Sequence, residues 1–183
     1  LDSKILYTVL NGNTVYVSTI SSGLYAFSIA GGKLKKIDQY VSEASGFSFG
    51  RGTAMDNGVV FNRIEFKSPE KSSSLRVFEI KGNKIVEMAV FDLPNNQIAK
   101  SLVVKNGTMT GLFSRLDENN EFTFEYLDYN VGCFKFSGST FVQEHAYYNK
   151  YLRVYENLVG LDDGAFAFIS EDDNFRTFLI IMP

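Results

Sequence analysis

His145 and Cys133 are the only histidine and the only cysteine in the chain, and they are the side chains best equipped for catalysis. An imidazole titrates near neutral pH and can act as general base or metal ligand. A thiol becomes a nucleophile when a neighbouring base lowers its pKa. His145 stands between Glu144 and Ala146 with no second histidine to share a metal, so it reads as a surface residue of an outer strand. Cys133 stands between Gly132 and Phe134 and reads as a small buried apolar residue, the usual place for a free cysteine. Acidic residues gather in two places. Asp117, Glu118 and Glu121 share one loop, and Asp162, Asp163, Glu171, Asp172 and Asp173 fall in two loops near the C-terminal end. Carboxylates at loop ends are a natural source of calcium ligands. Neither group has the D-x-D-x-D-G spacing of a calcium loop. The 162–163 and 171–173 loops also belong at opposite ends of one strand, so the acids read as solvated loop residues. Lys33, Lys35 and Lys36 form a small basic group on an outer strand, where lysines discourage unwanted strand addition. No phosphate-binding loop, zinc spacing or dinucleotide fingerprint occurs. The sequence nominates no catalytic, cofactor-binding or metal-ligating residue.

The chain as a whole has 183 residues, enough for one domain with a sizeable core. Its 17 Phe and 10 Tyr favour β structure, where flat rings pack on a pleated surface. A formal charge of -3 gives no electrostatic reason to expect nucleic acid or an anionic membrane as partner. No apolar run approaches the ~20 residues that a membrane-spanning helix needs. The N-terminus, Leu1-Asp2-Ser3-Lys4, lacks Met and has no signal-peptide pattern. Asn106-Gly107-Thr108 matches a glycosylation sequon, but an Asn-Gly pair between two apolar runs is first of all a hairpin turn.

That turn signal recurs. Asn11-Gly12, Asn57-Gly58, Asn106-Gly107 and Asp163-Gly164 each precede an apolar strand, and their glycines are spaced by 46, 49 and 57 residues. The expectation at each is a type I′ turn with both central residues at positive φ. Around the first, Lys4 to Leu10, Thr14 to Thr19, Leu24 to Ile29 and Lys33 to Tyr40 read as four short strands joined by turns, a meander. The second unit runs from Gly50 to Met55 through Val59 to Phe66 and Leu75 to Ile80 to Lys84–Leu93, and Pro94 ends it. The third carries one strand more. Either Phe122 to Tyr129 or Cys133 to Phe136 is the counterpart of Leu24 to Ile29. The fourth has Tyr151 to Tyr155, Ala165 to Ile169 and Arg176 to Ile181, and no fourth strand of its own.

Four-stranded units at a period near fifty residues match the blades of a β-propeller. A two-sheet sandwich and a closed barrel are the alternatives, but neither explains a recurring hairpin turn. In the first unit, Asn13-Thr14-Val15-Tyr16-Val17-Ser18-Thr19, Gly23-Leu24-Tyr25-Ala26-Phe27 and Gly32-Lys33-Leu34 resemble the blade repeat of quinoprotein-like and YVTN-type propellers. Ser74 to Phe78 with Gly82-Asn83-Lys84 echoes it. The resemblance implies architecture only. The quinoprotein repeat usually ends in Trp and this chain has none, so no quinone cofactor and no cofactor residue is carried over.

The expected fold is all-β: one β-propeller-like domain over 1–183, with four-stranded antiparallel meander blades at roughly 1–41, 50–94, 98–148 and 151–183. About four blades are present. Either they close into a ring, with the N-terminal strand region completing the last sheet, or they form part of a larger ring. The missing last strand and the start without Met favour the second. The expected function is a non-enzymatic binding or scaffold module, its partner a protein or the remainder of the same propeller. The alternatives are an enzyme or carbohydrate-binding propeller with its site in the central channel, or a fragment whose site lies in absent blades.

Overall fold

The structure is a computed structural model that describes residues 4–20, 23–41, 47–65, 72–94, 97–116, 122–123, 130–137, 140–148, 153–154, 158–161, 165–171 and 176–182. The described residues are strands and turns, and every pairing between strands is antiparallel. The chain divides into two compact units, Leu1–Asp92 and Leu93–Pro183.

The first unit holds two sheets. Strands β1 (Ile5–Asn11), β2 (Thr14–Thr19), β3 (Gly23–Ala30) and β4 (Lys33–Tyr40) pair in chain order. So do β5 (Phe47–Met55), β6 (Gly58–Glu65), β7 (Ser72–Lys81) and β8 (Lys84–Leu93). Each is the meander that the short turns predict. The two sheets pack face to face. Val9, Tyr16, Leu24 and Ala26 of the first sheet meet Phe49, Val59, Phe61 and Phe78 of the second. Phe49 is the hub. Its ring stands edge-on to Phe47, Phe61 and Phe78 at centroid distances of 5.5, 6.2 and 5.5 Å. The sequence reading began the second sheet at Gly50, but the strand begins at Phe47. The reason is a β-bulge. Phe49 pairs with Arg63 and Gly52 with Phe61, so Gly50 and Arg51 together oppose Asn62. The extra residue keeps Phe49 on the core face. Gly52 is required beside it, because a Cβ there would lie 2.5 Å from the Phe61 ring.

The second unit also holds two sheets. Strands β9 (Gln97–Lys105), β10 (Thr108–Leu116), β12 (Val131–Ser137) and β13 (Thr140–Tyr147) form one, and the two-residue β11 (Phe122–Thr123) pairs with the end of β10. The register decides the ambiguous strand. Val131–Ser137 lies between β10 and β13 and is the counterpart of β3. Of Phe122 to Tyr129 only Phe122–Thr123 is strand, and 124–129 lie outside the described residues. The other sheet has β16 (Phe166–Glu171) at its centre, β17 (Thr177–Met182) on one edge, and the short β14 (Arg153–Val154) and β15 (Val159–Gly160) in line on the other. Of the expected first strand, Tyr151 to Tyr155, Arg153–Val154 is strand and the rest lies outside the described residues; among the described residues no strand pairs with the far edge of β17. Leu112 and Val131 meet Leu158, Phe166 and Phe168 between these two sheets.

The turns differ from expectation in detail. Of the Asn-Gly pairs at 11–12, 57–58 and 106–107, only Asn106–Gly107 forms a turn with both central residues at positive φ, 50° and 76°. Asn11 pairs with Thr14, so the turn there is Gly12-Asn13, and Gly12 alone has positive φ. Met55 pairs with Gly58, so the second turn is Asp56-Asn57 and Gly58 belongs to β6. Gly58 is needed for a different reason: a Cβ would fall 2.3 Å from the carbonyl oxygen of Phe78. Asp163-Gly164 lies outside the described residues.

Two stability measurements follow. Phe49→Ala removes the hub ring and is expected to lower unfolding free energy by about 3–5 kcal/mol in urea titration. Gly12→Ala meets open space and costs only the positive-φ penalty of about 1–2 kcal/mol. Gly58→Ala must displace backbone and is expected to cost more than Gly12→Ala, the reverse of what turn chemistry alone would give.

Candidate functional site

Each sheet presents two faces, and the second sheet carries charge on one of its buried faces. Side chains directly opposite on paired strands share a face. Phe49 pairs with Arg63 and Arg63 with Ser74; Gly52 pairs with Phe61 and Phe61 with Arg76. The face that is apolar at Val59, Phe61 and Phe78 therefore turns polar at Arg63, Ser74 and Arg76. The Arg63 guanidinium lies over the Phe47 ring at 4.4 Å and its Nη2 is 2.8 Å from Glu65 Oε1. Arg76 donates from Nη1 to Glu87 Oε2 at 2.7 Å and from Nε to Ser74 Oγ at 3.1 Å. Tyr40, the last residue of the first sheet, donates its hydroxyl to that same Glu87 oxygen at 3.0 Å. Its ring stands edge-on to Phe78 at 5.0 Å.

Electrostatics follow from this crowding. Burial, and then the Glu87 carboxylate, raise the Tyr40 phenol above its ordinary value. Burial, and then Arg76, lower the Arg63 guanidinium, which stays charged because its ordinary value is so high. Two arginines face two glutamates, so the network is balanced within itself. Its chemistry is that of a polar staple, with Glu87 accepting from Arg76 on its own sheet and from Tyr40 on the neighbouring one.

Further links join the two sheets. Asn11 donates from Nδ2 to the carbonyls of Met55 and Gly58 at 3.1 and 2.6 Å. Asp38 accepts the Ile85 N–H at 2.9 Å and the Lys84 ammonium at 3.3 Å. The Ile85 N–H is the main reason the Asp38 carboxyl sits below its ordinary value; partial burial opposes it, while the Gln39 N–H and Lys84 add to the lowering.

The residues singled out by type fall elsewhere. His145 is exposed on β13 and Cys133 is half-buried on β12, with Sγ 3.4 Å from Thr110 Oγ1. The register makes Cys133 and His145 direct cross-strand partners. Weighing each alone missed this, because they are twelve residues apart and only the β12–β13 pairing brings them together. Cys133 is less buried than its apolar neighbours suggest, since it lies at the margin of the core between the third and fourth sheets. Lys33, Lys35 and Lys36 are exposed on edge strand β4, and Lys36 caps the Tyr25 ring at 5.0 Å. Asp117, Glu118, Glu121, Asp162, Asp163, Asp172 and Asp173 lie outside the described residues, and Glu171 closes β16. Among the described residues no three His, Cys, Asp or Glu are grouped to hold a metal, and no helix is long and apolar enough to cross a membrane.

Against known proteins, no family model matches the chain and no curated protein matches its sequence. Its fold is similar to that of the computationally designed Ika4 protein, with a TM-score of 0.51 and 12% identity over 100% of this chain and 94% of that one. Two lower-scoring structures are the N-terminal domain of Nup159, at TM-score 0.34 and 10% identity over 97% of this chain and 60% of that one, and a chain of the S. cerevisiae assembly of Dbp5 with Nup159, Gle1, IP6 and ADP, at 0.35 and 10% with the same coverage.

Because the folded Asp38 carboxyl is held below its ordinary value, its stabilising effect is full above about pH 4 and is lost as pH falls through the lowered value. Asp38→Asn is therefore expected to lower the urea midpoint at pH 7, and the gap from the parent protein should close below pH 4. Urea titrations across pH 2.5–7 read this directly.

Proposed function

We propose that the chain is a propeller-type scaffold, each sheet a blade, whose work is to bind another protein. The observation that carries the architecture is the sequence separation of the hydrogen bonds that tie one sheet to the next. In the first unit these join residues 44, 46 and 47 apart, and in the second Leu158 donates to Ser101 from 57 residues away. Those are the repeat lengths, near 46 in the first unit and 57 between the last two turns. Neighbouring sheets thus meet at equivalent positions, as blades do when each is a rotated copy of the last. In a sandwich, by contrast, two halves of the chain interdigitate at no fixed spacing.

Rigid repeat scaffolds carry recognition on their loops and outer strands. Here those outer strands show apolar side chains to solvent, among them Leu34, Val90 and Val142. That distribution supports a protein partner better than a small polar ligand.

The test is affinity capture of the tagged chain from its source, with chemical crosslinking. A stoichiometric protein crosslinked through the exposed Lys33 and Lys35 is the expected result. Binding to a glycan array with no stoichiometric protein recovered would overturn this reading in favour of a sugar-binding propeller.

A further inference from the structure

The basic charge of the chain is concentrated in one half. Residues 1–92 hold 11 Lys and Arg against 9 Asp and Glu, a net +2, whereas residues 93–183 hold 7 against 12, a net -5. In the first unit the lysines gather on one edge strand. The Gly31-Gly32 turn, both glycines at positive φ, returns the chain at once into β4. Ala26 pairs with Asp38, Ser28 with Lys35 and Ala30 with Lys33, so Asp38, Lys35 and Lys33 lie on one face of β4. That face is turned to the second sheet, because Ala26 belongs to the core between the two. The second sheet adds Lys84, whose ammonium is 3.3 Å from Asp38 and whose side chain is 76% exposed. Three ammonium groups therefore lie along the same edge of this seam.

Asp38 does not balance them. It is the one acid of β4, and it already accepts the Ile85 N–H at 2.9 Å as well as the Lys84 ammonium. Across from Lys33 and Lys35 stand Ala30 and Ser28, which carry no charge. Among the described residues neither lysine has a carboxylate within ion-pair reach. Successive side chains on one face of a strand are about 7 Å apart. That is inside the screening length of about 8–10 Å at ordinary salt, so Lys33 and Lys35 repel each other. Guarding the edge does not require this arrangement. Lys36, over the Tyr25 ring, already gives the edge a charge. Like charges held side by side on a rigid hairpin oppose folding, and a bound counter-charge would remove that opposition.

We infer that this edge binds the carboxylates of an acidic segment of a partner protein, with Lys33, Lys35 and Lys84 as its cations. Charge complementarity selects the occupant. A nucleic acid or an anionic membrane presents charge over a surface much wider than one strand, and would meet the net -3 of the whole chain. A short acidic segment feels chiefly the charges within one screening length, and here those are lysines. The inference names the chemistry of the partner in the protein-binding reading and rests on that reading.

The test is titration of the full chain with a fluorescent deca-glutamate peptide, read by anisotropy at low and at physiological salt. The parent protein is expected to bind it saturably, and several-fold more weakly at the higher salt. Lys33→Glu with Lys35→Glu alters only exposed side chains. The fold should survive, which a circular dichroism spectrum and a urea midpoint no lower than the parent's would verify. This variant should bind about tenfold more weakly or worse, and Lys33→Gln with Lys35→Gln should fall between it and the parent. Lys4→Glu with Lys135→Glu changes the net charge equally at exposed positions elsewhere, and should leave the affinity within about twofold of the parent's.

Equal losses in the two glutamate variants would overturn the inference, because net charge alone would then account for binding. A parent protein that does not bind the peptide at low salt would do so as well. Tighter binding to phosphatidylserine vesicles or to duplex DNA than to the peptide, at physiological salt, would replace the acidic segment by a polyanionic surface and sink it too. A partner protein captured as strongly by Lys33→Glu with Lys35→Glu as by the parent would remove this inference and leave the protein-binding reading standing.

Discussion

The side-chain amide of Asn11 reaches from the first hairpin turn to the carbonyls of Met55 and Gly58 at the second. A four-stranded sheet has two faces and no interior, so it is stable only where a face is covered. The amide fixes which part of the next sheet does the covering. It holds the turn of one sheet against the turn of the next, Asp38 holds the Lys84-Ile85 turn region, and the Tyr40–Glu87–Arg76 staple lies further along the same seam. With turns aligned, Tyr16, Leu24 and Ala26 fall on Phe49, Phe61 and Phe78 without further adjustment. Hydrophobic burial supplies most of the energy, at about 25 cal/mol per Å². It is not directional, and a slip of one residue would turn the apolar set outward. The polar contacts choose the register in which that energy is gained.

The seam was invisible in the sequence, and the reason is physical. Arg63 and Arg76 share their strands with apolar residues, and an arginine in such a strand is ordinarily assigned to the solvent face. Arg63 instead lies on the core side because it follows Val59 and Phe61 in the alternation of β6, and the Gly50-Arg51 bulge of β5 brings Phe47 to that face to cover its guanidinium. The stem of the side chain is apolar and its planar head is weakly hydrated, so an aromatic cover and one carboxylate suffice to keep it there. A bulge is not written in residue types beyond a glycine near a strand end, and Gly50 and Gly52 were read as the start of the strand rather than its bend. The same limit applies to Cys133 and His145. Their residue types were visible, but their pairing depends on the β12–β13 register and its bulge after Cys133.

The meanders were legible because two codes agreed. Alternation placed Leu24, Ala26 and Ser28 on one face of β3, and the turns at Gly12, Gly31-Gly32 and Gly82 bounded the strands. The order β1-β2-β3-β4 then follows from short connections alone. The glycine code was less exact than its recurrence suggested. Gly12 and Gly107 serve positive φ, but Gly58 serves a close approach to the Phe78 carbonyl. The period survived because both uses put a glycine at the same edge of the same hairpin. A repeat can thus be read from a residue whose local role has changed, provided that the turn it marks has not.

Burial inside each unit follows the contact between its two sheets more closely than it follows hydrophobicity. In the first unit Val9 of β1 is buried against the second sheet, while its neighbour Leu10 is 58% exposed. In the second unit Phe168 of β16 is buried against the third sheet, while its neighbour Ile169 is 41% exposed. Composition cannot separate these pairs. Strand alternation does, because successive side chains point to opposite faces of a sheet and only one of those faces is turned to the neighbouring sheet of the unit.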